Sequence, residues 1–488
     1  MNTELAHLVG ARTALIRNLL STGALSPPEA ALLVRQLNIV TFADLGPGVD
    51  DGRVARVLGN EATTRVTAYL ANAEPPAIPL GRALELGDEL IAALGPIVAG
   101  VGPPDVHFET AGDARRVDYL VAGVVVVVRA SDPKRAIELI ASSAAAADVL
   151  HRSARRLVFT YRQTEIDIRV PAADEYGSVL FSATGSRAHL AAMHGRRRAR
   201  PLCAREEQVY AEAGLAWIPP ELREGAGEVE AAAAGKLPAL IERHHVRGDL
   251  HMHTTYSDGR DTLDTMVETA SAIGYQYVAI TDHSHTSAAS RTLAITDIPR
   301  QREAIARLRE RYPAMAILHG VEVDILANGR LDFDDEVLAQ FDLVIASLHD
   351  RAGHDAKRLT RRTLDAIRHP LVNVICHPEN RVMGRREGYP LDFDAVYAAA
   401  VETGTALEID GAPGHLDLDG RRARAAGRAG VTLVVDSDCH RAAALDRHMD
   451  LAVGIARRGW LEPAMVLNTR PLADLLAFVG AKRRRGGW

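Results

Sequence analysis

The chain has 488 residues, with 57 Lys+Arg against 63 Asp+Glu and a formal net charge of −6; 47% of the residues are hydrophobic and 25% charged. This balance is globular and excludes a disordered, collagen-like or low-complexity chain, and the length suggests several domains, each able to bury its own core. Any nucleic-acid contact must come from local basic patches, because the chain as a whole is mildly acidic. The three cysteines, Cys203, Cys376 and Cys439, are too few and scattered for a disulfide framework, which points to a reducing, cytoplasmic setting. The N-terminus lacks a basic region followed by an apolar run, so no signal peptide is expected. The most apolar stretch, around 124–128, is far too short to span a bilayer, and no membrane association is expected either.

Residues 1–95 are expected to be helical, with apolar residues at helical spacing over 29–37 and 81–94. Residues 96–218 form an α+β pattern: VDYLVAGVVVVVRA, RRLVFTYRQ and TEIDIRVP read as strands, with a helix near 136–147 between them. Residues 219–240 mix Pro, Gly, Ala and Glu and read as a linker. Over 241–488 the pattern is regular. Seven short apolar runs recur (GDLHMH, YQYVAITDH, AILHGVEVD, DLVIASLH, VNVICHP, ALEIDG and VTLVVDSDCH), and helical patterns separate most of them. Near-continuous Val/Ile/Leu runs suit parallel strands covered on both faces, so this region predicts a (β/α) barrel of seven strands.

Fourteen of the nineteen histidines lie after position 243. Six of the seven strand candidates place His, Asp or Glu at or near their C-terminal ends: His251 and His253, Asp282 and His283, Glu322, His349, His377, and Asp438 with His440. Active sites of parallel barrels form at those ends. Side chains at i and i+2 of a strand share a side, so His251 and His253 can reach one ion, as can Asp438 and His440. Asp258, in the turn YSDG, can add a carboxylate. Imidazoles and carboxylates without thiolate suit zinc, manganese or iron. Nine candidates suit two or three ions sharing a bridging carboxylate, for which Glu322 is the choice. Asp282 is read as a residue that orients a histidine rather than as a ligand. His319, His369, His415 and His448 are read as core or surface histidines, Cys376 and Cys439 as small buried residues, and His285 and His354 stay unassigned.

HMHTTYSDG, ITDHSH, GVEVD, ASLH, CHP and SDCH, in this order, resemble the PHP phosphoesterase domain over about 240–475. The resemblance implies a distorted seven-stranded barrel with three divalent metal ions at its mouth. One would be held by His251, His253, Glu322 and Asp438, a second by Glu322, His349 and His377, and a third by Asp258, His283 and His440. Catalysis would rest on Glu322, His251, His253 and Asp438. Members of the family hydrolyse phosphate esters, including histidinol phosphate and DNA 3′ ends.

Upstream, WIPPELREGAGEVEAA, TEIDIRVPAADEYGSVLFSATGSRAH and LGRALELGDEL resemble bacterial family X DNA polymerases, whose palm binds nucleotide metals through Gly-Ser and two strand aspartates. Here Asp113 takes the serine position, Gly123 and Val125 take the aspartate positions, and Asp167 keeps the third carboxylate. By this resemblance residues 1–95 are a remnant of the helix-hairpin-helix region, its glycine-rich, DNA-backbone-binding hairpin degraded to GALSPPEAA. A retained palm/thumb-like scaffold without polymerase activity follows. Arg381, Arg385 and Arg386, after His377, are candidate phosphate-binding groups. The basic runs Arg196–Arg200 and Lys482–Arg485 are candidate DNA-backbone contacts. The expected activity is metal-dependent 3′–5′ exonuclease or DNA 3′-end processing beside an inactive polymerase core. The alternatives are a small-molecule phosphate monoesterase, such as a histidinol phosphatase, or a DNA-binding repair scaffold.

Overall fold

The run Val124–Arg129 carries five consecutive valines. These β-branched side chains resist helix and favour a strand packed on both faces, and all five are buried. In a computed structural model, which describes residues 9–75, 77–101, 107–196, 202–287 and 291–488, this strand lies inside a five-stranded sheet. The strands are β1 (His107–Ala111), β2 (Val124–Arg129), β3 (Asp148–Arg152), β4 (Arg156–Tyr161) and β5 (Thr164–Arg169), in the order β1-β2-β5-β4-β3. Only β2 and β5 run parallel, and their register sets Val125 opposite Asp167. The chain divides into two compact units, Met1–Leu237 and Pro238–Trp488. This sheet belongs to the first, together with the helices Ala14–Ser21, Pro27–Leu37, Phe42–Asp50, Arg53–Asn72 and Leu80–Val98. The GALSPPEAA stretch starts the second of these helices, where Ser26 and Glu29 cap the first turn reciprocally.

Residues 219–240, expected as a linker, are instead folded up to the division after Leu237. They carry short helical segments at Pro220–Leu222 and Glu228–Ala233. Two buried ion pairs explain the difference. Arg223 is fully buried and forks onto Glu206, which also accepts from Arg115. Glu228 is fully buried 2.7 Å from His189 Nδ1 and accepts from the backbone of Gly225 and Ala226. Burial alone would raise the Glu206 pKa, but Arg223 and Arg115 bring it down to about 2. A carboxylate depressed in the folded state adds stability above its unfolded pKa and loses it as pH falls towards the folded one. Between about pH 4.5 and pH 2, the stability advantage of the native chain over Glu206→Gln is therefore expected to shrink by about 3 kcal/mol. Urea denaturation at a series of pH values checks this, and a gap independent of pH would contradict it.

In the second unit all seven expected runs form strands: β6 (Gly248–Asp249), β7 (Tyr277–Ile280), β8 (Ala316–Asp324), β9 (Leu343–Ser347), β10 (Val374–Ile375), β11 (Ala406–Asp410) and β12 (Leu433–Asp436). Each pairs in parallel with the next, in chain order. The intervening helices carry ordinary start and stop signals. Thr262, Asp355, Asp392 and Asp419 cap their N-termini through side-chain oxygens, and Gly274, Gly404 and Gly430 end three of them with left-handed backbone. The architecture is the expected seven-stranded parallel barrel.

The seam between β6 and β12 is closed by side chains as much as by backbone. His253 N donates to Cys439 O at 2.9 Å, and Met252 bridges Cys439 in parallel. Asn468 Nδ2 donates to Gly248 O at 2.8 Å, while its Oδ1 accepts from Val435 N at 3.1 Å. The helix Leu472–Arg485 then closes the floor, burying Leu475 and Val479 against Leu250, Leu343, Val374, Cys376 and Val434. The basic run Lys482–Arg485 is thus the end of a packed helix rather than a free tail. Lys482 Nζ donates to Ile367 O (2.6 Å), Val372 O (2.6 Å) and Thr405 Oγ1 (2.7 Å), and Arg483 and Arg485 donate to backbone carbonyls. The other basic run, Arg196–Arg200, lies outside the described residues except for Arg196.

Candidate metal centre

All nine candidate ligands come from β8 or from the segments just past the C-terminal ends of the other strands. Two of them need unusual backbone. His377 has φ 28° and Asp438 φ 45°, a left-handed region that costs a non-glycine residue of order 1–3 kcal/mol and clusters at functional sites. The His377 kink is held by its N–H, which donates to Glu408 Oε2 at 2.7 Å. The loop that carries Asp258 is tied down by Asp282, which accepts from Thr254 N (2.8 Å), Thr254 Oγ1 (2.7 Å), Ser257 Oγ (2.6 Å) and Gln301 Nε2 (2.6 Å). Asp282 therefore positions a loop rather than a histidine ring, a correction to the sequence reading.

The donor atoms gather around Glu322. His251 Nε2 lies 3.1 Å from His253 Nε2, 3.5 Å from Glu322 Oε2 and 3.4 Å from Asp438 Oδ1. His253 Nε2 lies 3.5 Å from Glu322 Oε2 and 3.0 Å from Asp438 Oδ1. Around a tetrahedral ion with bonds of about 2.0–2.1 Å, neighbouring ligand atoms sit about 3.3 Å apart, and these five separations are close to that spacing. The other carboxylate oxygen, Glu322 Oε1, lies 3.3 Å from His349 Nε2 and 3.1 Å from His377 Nε2. Asp258 Oδ1 is 3.2 Å from His440 Nε2 and 3.6 Å from His283 Nε2.

Hydrogen bonds, such as those of His253 with Asp438 and of His377 with Glu322, account for only part of this crowding. Glu322 Oε2, Asp258 Oδ1 and His283 Nδ1 are buried without a hydrogen-bond partner, although His283 Nδ1 and Glu322 Oε2 approach to 2.7 Å. An unpaired buried polar atom is costly, and several aimed at shared points fit divalent cations. Other hydrogen bonds fix the histidine tautomers. His251 Nδ1 donates to Glu408 Oε1 (2.7 Å), His349 Nδ1 to Asp324 Oδ1 (2.6 Å) and His440 Nδ1 to Asp438 O (3.1 Å). Each leaves the Nε2 lone pair facing the cluster. Against burial, which alone would raise it, the imidazoles His283, His349 and His251 hold the Glu322 pKa well below the usual carboxylate range.

Sequence reasoning misses Glu408 and Asp324 as partners. Glu408 sits inside ALEIDG, the one strand run whose end carries no expected ligand, and a carboxylate interrupting a fully buried run is the available signal. Two of the three arginine candidates are committed elsewhere. Arg381 donates to His415 O at 3.0 Å and is 7% exposed, and Arg386 donates to Asn380 O and Oδ1 at 2.8 and 2.7 Å. Both brace their loop, and Arg385 and Arg386 are exposed. His319 donates or accepts at Gln301 and His369 pairs with Asp335, while His448 contacts the carbonyl of Ser437, next to Asp438. His415 stacks 5.7 Å from the His377 ring, His354 lies beside Arg362, and His285 is exposed.

In the first unit a cleft of about 380 Å³ is lined by Gly112, Asp113, Gly123, Val125, Asp167 and Arg169, among others. Val125 packs with Tyr176, Leu180 and Ala183. Asp167 accepts from Arg156 Nε and Nη2 at 2.8 Å each and from Arg169 Nε at 2.9 Å. Asp44 completes the cluster, 2.7 Å from Arg156 and 3.0 Å from Arg169. Asp167 is thus paired with two guanidinium groups.

The PHP domain family matches residues 249–378. A curated "DNA polymerase/3′-5′ exonuclease PolX" of Bacillus subtilis is 33% identical, over 94% of this chain and 84% of its own length. A "probable phosphatase" of Syntrophotalea carbinolica is 30% identical over 48% of this chain and 95% of its own length. The solved histidinol phosphate phosphatase of Lactococcus lactis, determined with zinc, L-histidinol and phosphate, superposes with a TM-score of 0.33 at 16% identity, covering 50% of this chain and 94% of that one, a likeness too slight to weigh. The match along nearly the whole chain decides the assignment: this protein belongs to the PolX family of bacterial family X DNA polymerases that carry a C-terminal PHP domain.

Proposed function

We propose that the second unit is a three-metal phosphoesterase that trims DNA 3′ ends as a 3′–5′ exonuclease, beside a first unit that has lost nucleotide transfer. The observation that carries it is the convergence of nine imidazole and carboxylate residues, Glu322 among them, into overlapping groups of donor atoms, in a chain of the PolX family. His251, His253, Glu322 and Asp438 would hold one ion, Glu322, His349 and His377 a second, and Asp258, His283 and His440 a third. Zinc or manganese suits these donors, and iron does as well. Divalent cations in such a cluster lower the pKa of water towards neutrality and neutralise charge on a phosphoryl group.

The chain's own residues set the geometry. His251, His253 and Glu322 are fully buried, whereas the side chains of His349, Asp258 and His440 are 20%, 19% and 34% exposed. The open side of the cluster is therefore the side from which a phosphate ester enters. Glu408 and Asp324 keep His251 and His349 in the tautomer that faces inwards. In the first unit, valine and glycine stand at two carboxylate positions and Asp167 is held by arginines. One remaining carboxylate organises no pair of magnesium ions.

No helix among the described residues is long and apolar enough to cross a membrane. The three cysteines are buried thiols, which supports a reducing cytoplasm as the setting.

The purified chain with Mn²⁺ is expected to release nucleotides from the 3′ end of a labelled oligonucleotide, to stop when a chelator is added, and to incorporate no nucleotides. Rapid turnover of histidinol phosphate with DNA left intact would overturn the substrate and favour a monoesterase. Hydrolysis of neither would overturn the enzyme. DNA affinity surviving substitution of His251 and His253 would then point to a repair scaffold.

A further inference from the structure

One buried nucleophile beside the cluster has no part in the nine-ligand set. The thiol of Cys376 donates to Glu322 Oε1 at a sulfur–oxygen distance of 3.5 Å, with the residue fully buried. His377 Nε2 lies 3.1 Å from the same oxygen, and donor atoms of His251, Glu322, Cys376 and His377 all fall within 4.8 Å of one another. Consecutive side chains on a regular strand point to opposite faces. The left-handed backbone at His377, φ 28°, breaks that alternation, and both neighbours reach one carboxylate oxygen. The carboxylate is not satisfied by these contacts, since its buried Oε2 has no hydrogen-bond partner. Around tetrahedral zinc, with bonds of about 2.3 Å to sulfur and 2.1 Å to oxygen, the sulfur–oxygen separation is about 3.6 Å, against the 3.5 Å found here.

We propose that Cys376 is a metal ligand, and that with Glu322 and His377 it forms a position for a thiophilic divalent cation such as zinc or cadmium. The proposal rests on the metal-cluster reading above and deepens it. Coordination breaks the S–H bond and forms a bond from sulfur to the cation, and the proton leaves to solvent. Thiolate is a soft donor that favours zinc and cadmium over manganese. One position of the cluster would then select zinc while the nitrogen and oxygen positions accept either metal. The other cysteines are turned elsewhere: Cys439 donates to Arg441 O at 2.9 Å and Cys203 to Glu212 at 3.6 Å.

The test is metal spectroscopy on the full chain. Zinc-edge X-ray absorption of zinc-loaded protein is expected to show a sulfur shell at about 2.3 Å, and cobalt-substituted protein a thiolate-to-cobalt charge-transfer band in the near ultraviolet. Both signals should vanish in Cys376→Ala and Cys376→Ser and persist in Cys439→Ala. In competition dialysis, Cys376→Ala should lose preference for zinc over manganese by at least about tenfold. Full zinc loading with only nitrogen and oxygen neighbours in the native chain would overturn the ligand while leaving the cluster standing. That spectrum needs no variant, so misfolding of a substituted chain does not shield the proposal. A sulfur shell that survives Cys376→Ala would also overturn it. Failure to bind any divalent metal would overturn the cluster and the cysteine together.

Discussion

Glu322→Gln is expected to lower phosphoester hydrolysis at least about a thousandfold and to reduce the bound divalent metal in the same preparation. Both oxygens of this side chain are used. Oε2 faces the Nε2 atoms of His251 and His253, and Oε1 faces those of His349 and His377. Glutamine keeps the shape but replaces one oxygen with an NH₂ group that cannot bind a cation and removes the charge that opposes them. Because the volume is conserved, loss of function cannot be ascribed to a cavity. Turnover of a labelled oligonucleotide and elemental analysis of the purified variant check the outcome. A Glu322→Gln variant with full metal content and native turnover would remove the glutamate from the centre.

The second large effect is expected in the first unit. Arg156→Met should destabilise it by about 3–5 kcal/mol, read as an earlier urea transition. Arg156 is 4% exposed and is the shared partner of Asp44 and Asp167. Methionine leaves Asp167 with Arg169 as its remaining cation in a buried site. Burial raises carboxylate pKa values, and Arg156 and Arg169 hold that of Asp167 below normal. The native chain therefore has stability to lose as pH falls through the acid range, and the variant has less of it. The gap between the two should narrow on acidification. Adding Asp167→Leu should restore much of the loss, because replacing both charges leaves no unpaired group. No recovery in the double variant would mean that the cluster matters through packing rather than charge.

The barrel was legible because parallel strands covered on both faces leave uninterrupted apolar runs. The clustering of the candidate ligands was legible because they sit at one end of those runs, with i, i+2 spacing in His251/His253 and Asp438/His440. Less of their support could be read. Asp324 lies two residues after Glu322 and shares its side of β8, yet which atom it would meet depends on β9. Glu408 reaches His251 across a separation of 157 residues. The arginines after His377 looked free because a sequence does not say whether a guanidinium faces solvent or a carbonyl, and here Asn380 and His415 supply the carbonyls. The stretch after Pro219 has the composition of a connector, but its two charged anchors are neutralised by Glu206 and His189, distant in sequence. Pairing over such distances leaves no local periodicity.

The Asn468 latch has a consequence for biosynthesis. The amide bonds the first strand of the barrel to the last, 220 residues apart at Gly248, and His253 meets Asp438 across a separation of 185. A nascent chain that exposes His251 and His253 early must hold those imidazoles outside any finished cavity until translation has passed the asparagine. Long-range closure of this kind is slow, so the donor set at the barrel mouth is completed only late in folding.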